Sequence, residues 1–213
     1  MRDWLRLIIG SLQPDSPAEF FADLPVLRTE RLVLRPVTMH DAKDIFAYAH
    51  DPDVARFVLW DAHRTLKDSK RYVRYLRSQY RWGIPSSYGI EHTASGHLIG
   101  TIGFMNWSEE HQTAEIGYSL GRNWWNQGFM TEAVRAVLYL SFEMMALHRI
   151  EAMHDTENLA SGCVMAKCGM RHEGTLTGRV WNKGEWRDVQ LWAITRDEWQ
   201  LSAAGRDNVP YVS

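Results

Sequence analysis

Cysteine is scarce in this chain: Cys163 and Cys168 are the two in 213 residues. Five positions apart on one expected helix, they suit neither a helical disulfide nor a usual zinc pair. Both read as small buried or half-buried thiols, and such sparse use fits a reducing compartment, so cytoplasm is the expected location. A charge excess of one sign is also missing. The formal net charge is −2, which leaves no global nucleic-acid footprint, and no nucleic-acid partner is expected. No apolar run spans a membrane. The best, Met1 to Leu12, is too short, is interrupted by Arg6, and makes a poor secretory signal. It reads as a short amphipathic helix docking on the domain or on a partner. His63, His92, His97 and His111 are scattered without metal spacing, so no metal is expected. There is no Gly-Lys-Ser/Thr to reach a terminal phosphate, and the glycines do not follow the dinucleotide fingerprint. Internal repeats and low-complexity tracts are absent.

What is present is ordinary globular composition. Hydrophobic residues make up 45% and charged residues 23%, enough for one buried core. The length fits one domain plus an extra segment. Residues 1–26 read as a short helix and a Pro-rich linker with one sticky point, Phe20-Phe21. Residues 27–201 read as the domain, and 202–213 as a loose tail. Ten tryptophans is a high count, and several sit beside polar residues where an indole could line a groove as well as a core.

The chain is organised around Ala114 to Val137. Ala114 to Leu120 has strand period, with Ala, Ile, Tyr and Leu alternating against Glu115, Gly117 and Ser119. Gly121 and Gly128 bracket a turn. Phe129, Ala133, Ala136, Val137 and Leu140 then recur at helical spacing. A helix opening directly after a glycine offers unpartnered N–H groups to an anion, and a diphosphate is the natural guest. Glycine spacing alone equally serves only to make a turn.

The remaining elements follow from pattern. Arg31 to Val37 is a strand, and Thr38 caps a helix to about His50 with Asp41 in the capping-box position. Asp51 to Asp53 is a turn. Thr65 caps a helix over Leu66 to Trp82, whose basic run Lys67, Lys70, Arg71, Arg74, Arg77 and Arg81 reads as a solvated face or a site for an acidic partner. Ser86 to His92 and His97 to Asn106 are strands joined by a hairpin, with Gly100 and Gly103 marking a bulge or close packing. Arg149 to Asp155 is a strand, and Ala160 to Cys168 is a helix ended by Gly169. Arg171 to Val180 and Trp186 to Ile194 are strands around a turn at Trp181 to Glu185, and Thr195 to Leu201 is a last helical turn. The expected fold is α/β of the α+β kind. It has a single mixed, mostly antiparallel central sheet flanked by helices, with the site at the end of the Ala114 strand.

Three pieces in this order carry a resemblance: LRTERLVLRPV, AEIGYSLGRNWWNQGFMTEA, and ENLASGCVMAKCGMRHEG followed by GEWRDVQLWAI. Over about Leu27 to Trp199 the chain resembles the GCN5-related N-acetyltransferase (GNAT) superfamily, and within it the RimJ/RimL type of protein N-terminal acetyltransferase. The loop Asn126-Gln127-Gly128-Phe129-Met130-Thr131 is similar to the later part of the family's phosphate motif, with Met130 departing from its second Gly/Ala. The resemblance implies acetyl-CoA as co-substrate, its diphosphate held by backbone N–H groups from Asn126 to Thr131. Leu120, Gly121 and Arg122 would pair with the pantetheine arm as an added strand does. Asn158 and Ser161 match the family's Asn-x-x-Ser beside the arm, and they also suit a helix cap. Dimers are common among such families, so a homodimer is expected.

Transfer to an amine needs a base for the ammonium, an N–H donor for the carbonyl oxygen and a proton donor for the leaving thiolate. Glu115 is the candidate base, or else a sheet carboxylate paired with an Arg or backbone donor. Ser161 is the candidate acid. The oxyanion donor would be a backbone N–H near Leu120. Some relatives of this type carry a glutamate base seven residues past the Glu-Gly after the last helix; here that place is Val180. Asp188 is a third acid, better placed to orient the terminal strands. Trp60, His63, Tyr88, Trp107 and Trp181 could form an amine-receiving wall. The resulting expectation is acetylation of the N-terminal α-amino group of a protein or peptide, a ribosomal protein included, by direct attack in a ternary complex. The alternatives are a small-molecule amine acetyltransferase (polyamine, amino acid or aminoglycoside), a non-catalytic acyl-CoA-binding module, and an interaction module acting through Met1 to Leu12 and the basic helix.

Overall fold

The computed structural model describes residues 17–202 and 211–212. The helix expected within Met1 to Leu12 lies outside them. Helix α1 (Pro17–Ala22) follows at once and buries Phe20 and Phe21. Part of the stretch read as a linker, Pro17–Ala22, is therefore a packed helix: Phe21 has no exposed surface and meets Phe104 and Trp107 edge-on at 5.6 and 5.5 Å.

Strands β1 (Leu27–Arg28) and β2 (Leu32–Arg35) come next. Thr38 then opens a 3-10 turn and α2 (Ala42–Ala49); the Asp41 carboxylate accepts from the Thr38 N–H at 2.7 Å, closing the capping box. The turn expected at Asp51 to Asp53 tightens into α3 (Pro52–Ala55). Asp51 accepts from the Asp53 N–H, and Pro52 presets the first helical φ. Helix α4 (Leu66–Trp82) starts at a second capping box, Thr65 with Asp68, and stops at Gly83 with φ 61°.

Strands β3 (Ser87–His92), β4 (Leu98–Ser108) and β5 (Thr113–Leu120) form an antiparallel meander. The β4 glycines mark close packing. A Cβ on Gly100 would lie 2.3 Å from the Ser119 oxygen, and one on Gly103 would lie 2.3 Å from Ser87 Cα. Bulges fall on β4 as well: Ile90↔Gly100 is followed by Glu91↔Leu98, which leaves Ile99 extra beside Gly100, and a second irregularity lies between Phe104 and Trp107. Helix α5 (Phe129–Tyr139) runs into a π turn at Leu140–Met144 and leads to β6 (Arg149–Asp155) and α6 (Leu159–Lys167). Strands β7 (Arg171–Asn182) and β8 (Glu185–Thr195) are longer than expected, because their turn needs only Lys183 and Gly184, with φ 51° and 89°. Helix α7 (Arg196–Leu201) follows. Within the tail expected to be loose, Tyr211–Val212 form β9, paired with β1.

Among the described residues the strands make one sheet, ordered β7-β8-β6-β5-β4-β3-β2-β1-β9. Every pairing is antiparallel except β5 with β6. That parallel register runs from Thr113↔Arg149 to Glu115↔Glu151 and stops there. Beyond it the two strands part, which opens the sheet between Tyr118 to Leu120 and the end of β6. Ala114 and Ile116 of β5 face the main core with α5, whereas Glu115, Gly117 and Ser119 point to the other face. A second apolar cluster (Ile45, Tyr48, Val73, Leu76, Leu98) seats α2 and α4. Among the described residues, no helix is long and apolar enough to cross a membrane.

Candidate active site at the parting of two strands

The turn before α5 is set by two left-handed residues. Gly128 has φ 82°, natural for glycine, and Asn126 has φ 59°, a conformation asparagine tolerates better than most side chains. Arg31 fixes this turn from the β1–β2 connection. Its Nη1 donates to the Gln127 carbonyl at 3.0 Å, its Nε donates to Glu132 at 2.7 Å, and its guanidinium lies 4.3 Å from the Phe129 ring centre. The first helical bond runs from the Glu132 N–H to the Gly128 oxygen. The N–H groups of Phe129, Met130 and Thr131 thus have no intrahelical acceptor and are available to an anion.

A cleft of about 550 Å³ runs from this turn into the gap between β5 and β6. Leu120, Asn126, Gly128, Met130 and Thr131 line one side, and Asn158, Ser161, Cys163, Val164 and Lys167 the other. Val54, Phe57 and Val58 close it over. The cleft therefore joins a helix start with unpartnered N–H groups at one end to a slot of mixed apolar and hydroxyl lining at the other. Cys163 is exposed here, against expectation, while Cys168 is buried and its thiol is pushed up to about 12 by that burial.

Four residues expected at this cleft contribute no side chain to its lining, although the Phe129 N–H stays available at the start of α5. Gln127 turns its amide back to the Asn123 carbonyl at 2.8 Å. Phe129 packs inward against His92 and Trp124. Gly121 spends its N–H on Ile99 at 2.8 Å. Arg122 is held by Asp51 and Asp53, each at 2.9 Å. The Gly121 bond also fixes the phase of the β4–β5 ladder. Hydrogen-bonded and non-hydrogen-bonded pairs alternate, so the Tyr118 and Leu120 backbone groups face away from β4 into the gap. The Leu120 carbonyl accepts from the Trp125 indole at 2.7 Å, which leaves the Leu120 N–H to a guest.

A second cleft, about 280 Å³, opens on the other side and shares Phe57, Val58, Tyr118, Ser119, Asn158 and Ser161 with the first. At this junction the Tyr118 hydroxyl lies 2.9 Å from Ser161 Oγ and donates to the Ser161 carbonyl at 3.2 Å. Burial pushes the phenol well above its usual value, so it stays protonated. Asn158 also caps α6, accepting from the Ser161 N–H at 3.4 Å. Glu115 lines the second cleft. Burial pushes its carboxyl up and the charge of Glu151 adds to this, against a hydrogen bond from Asn106. Asp155 behaves oppositely. Burial would raise it, but Arg187 at 2.6 Å and the Glu157 N–H more than reverse this, so it is a fixed anion.

Of the expected acceptor wall, Trp60 lines this cleft. His63 stands behind it, stacked on Trp60 and bonded to Ser69 Oγ at 2.9 Å. Tyr88 is fully buried in the main core, because its neighbour Ser87 takes the cleft-facing side of β3. Trp107 packs on Phe21 and Phe104. Trp181 is exposed and stacks edge-on against Trp186 at the hairpin. Val180 lines the cleft where some relatives of the resembled type place a carboxylate. Asp188 accepts from the Gly178 N–H at 2.7 Å, a strand-orienting role. The sequence reading missed Tyr118, whose place in strand period looks like packing, and Phe57, Tyr72 and Met105, which complete the apolar wall. Among the described residues no group of three His, Cys, Asp or Glu side chains is arranged to hold a metal.

Comparison with known proteins gives a consistent result. Residues 31–171 match the family model "Acetyltransferase (GNAT) domain". The chain is similar to the uncharacterized N-acetyltransferase YoaA of Bacillus subtilis, 31% identical over 81% of this chain and 97% of that protein. It is also similar to the [Ribosomal protein uS5]-alanine N-acetyltransferase of Escherichia coli, 27% identical over 81% and 92%. Among solved structures, Mycobacterium smegmatis RimJ in complex with CoA-disulfide superposes with a TM-score of 0.73 at 30% identity, covering 85% of this chain and 90% of that one.

Proposed function

The chain belongs to the GNAT acetyltransferase family, and from that premise we propose that it carries an acetyl group from acetyl-CoA to the N-terminal α-amino group of a protein or peptide. Enzymes of this family are acetyl-CoA-dependent acyltransferases, so the acceptor and the residue roles are the open part. The observation that carries the reading is the junction. Two clefts enter the parted sheet from opposite faces and meet at Tyr118, Ser119, Asn158 and Ser161.

The start of α5 and the Asn126–Gly128 turn would hold the diphosphate through backbone N–H groups. The Leu120 N–H would donate to the carbonyl oxygen as charge gathers there. Glu115 would take a proton from the incoming ammonium, directly or through water; burial raises its pKa, which makes it a stronger proton acceptor than an exposed carboxylate. The amine then forms the new C–N bond while the C–S bond breaks, and the Tyr118 hydroxyl, backed by Ser161, would give its proton to the departing sulfur. The cleft walls supported by Phe57, Trp60 and Tyr72 suit an uncharged first side chain beside the amine. The likeness to the ribosomal-protein alanine acetyltransferase of E. coli supports the same class of acceptor.

An acetyl-transfer assay on an amine panel tests this: short peptides with free and blocked N-termini, free lysine, a polyamine and an aminoglycoside. Acetylation confined to free peptide N-termini is expected. Preferred turnover of the polyamine or the aminoglycoside would transfer the reading to small-molecule acceptors, and binding without turnover of any amine would leave an acyl-CoA-binding module.

A further inference from the structure

The basic run on α4 has no task in acetyl transfer. Lys67, Lys70, Arg74, Arg77 and Arg81 recur at three and four residues and so form one stripe along the helix. All are exposed, and none has a carboxylate partner among the described residues. Arg71 flanks them, paired to Asp68 at 2.9 Å, and Asp68 is the one acidic residue of the helix. The adjoining stripe carries Tyr75 and Trp82, 57% and 73% exposed. Neither ring has an aromatic partner among the described residues. Seven residues apart, they stand two turns from each other, about 10.5 Å along the axis. The inward side of the same helix buries Val73 and Leu76 and sends Tyr72 to the acceptor cleft.

Cations alone are explained by solvation. Two large aromatic residues left in water beside them are not. An acidic peptide would engage the cations and leave the rings unused, whereas single-stranded nucleic acid uses both, with phosphates on the basic stripe and bases stacked on the rings. The net charge of −2 does not oppose this, because it averages over the surface a cluster of six cations on one helix. We infer that the outer face of α4 binds single-stranded nucleic acid, beside the acceptor cleft and independently of the transfer chemistry.

The test is fluorescence anisotropy of a labelled oligouridylate of about 12 nucleotides, a length within the usual single-strand site sizes, titrated with the full chain over a salt series. An oligoglutamate of equal charge serves as the second probe. Contact with four to six phosphates predicts a log–log salt slope of about −3 to −4. Arg74→Ala with Arg77→Ala should weaken RNA binding at least about tenfold and flatten the slope by about 1.4. Tyr75→Ala with Trp82→Ala should weaken it about tenfold or more and leave the slope unchanged. The melting shift produced by acetyl-CoA, equal in wild type and both variants, shows the fold intact. The proposal is overturned by no RNA binding at low salt. It is also overturned if the aromatic variant binds RNA like wild type, or if oligoglutamate binds as tightly as RNA, which would assign the face to an acidic protein.

Discussion

The Tyr118 hydroxyl sits 2.9 Å from Ser161 Oγ at the point where the two clefts meet. Tyr118→Phe keeps the ring and removes the proton. It should lower kcat by about 10² with acetyl-CoA affinity close to wild type, as steady-state kinetics beside calorimetry would show. Glu115 gives a prediction with a sign. A base works deprotonated, so kcat/KM rises with pH as its carboxyl ionises, and burial moves that limb upward from the ordinary glutamate value. Glu115→Gln should abolish the limb and cost about 10² in rate; a pH–rate profile that keeps the limb assigns the proton to another group. Glu115 was legible because an acid stands out in an apolar strand. Tyr118 was not, since a tyrosine in strand period looks like packing. The choice of Tyr88 over Ser87 shows the same limit, because a shift of one residue changes the face of the sheet.

At the scale of elements, the turn into α5 depends on left-handed backbone at Gly128, where a Cβ would also come 3.4 Å from the Arg31 guanidinium. A β-branched residue there costs about 1–2 kcal/mol. Gly128→Val should weaken acetyl-CoA binding roughly tenfold, the equivalent of 1.4 kcal/mol, measurable by calorimetry with the acceptor absent. Local chemistry made many elements legible. Thr38 with Asp41 and Thr65 with Asp68 announce helix starts, and the Leu66–Trp82 helix has the limits its caps and period give it. Other features depend on contacts distant in sequence. Asn126 is left-handed in a turn whose next residue, Gln127, is held through its carbonyl by Arg31 from the β1–β2 connection, and the second β4 bulge falls at Phe104–Trp107 rather than at a glycine.

For the whole molecule, a single mixed and mostly antiparallel sheet was legible from the order of periodic segments. The pairing that makes the site was not, because nothing local in β5 or β6 states that their parallel register stops at Glu115 and Glu151. The role of α1 was equally hidden, since a short Pro-flanked stretch reads as a connection until Phe21 is seen enclosed by Phe104 and Trp107. Phe21→Ala should destabilise the protein by about 3–5 kcal/mol, a loss that urea unfolding would register as a lower midpoint; an unchanged midpoint would detach α1 from the folded unit. The central claim is that the two clefts let the amine meet the thioester directly. Initial-velocity kinetics with acetyl-CoA and a peptide acceptor, read together with the mass of the protein after acetyl-CoA alone, tests it most directly. The account predicts intersecting double-reciprocal lines and no acetyl group on the protein. Parallel lines, with an acetyl group recovered on the exposed Cys163 of the first cleft, would contradict it.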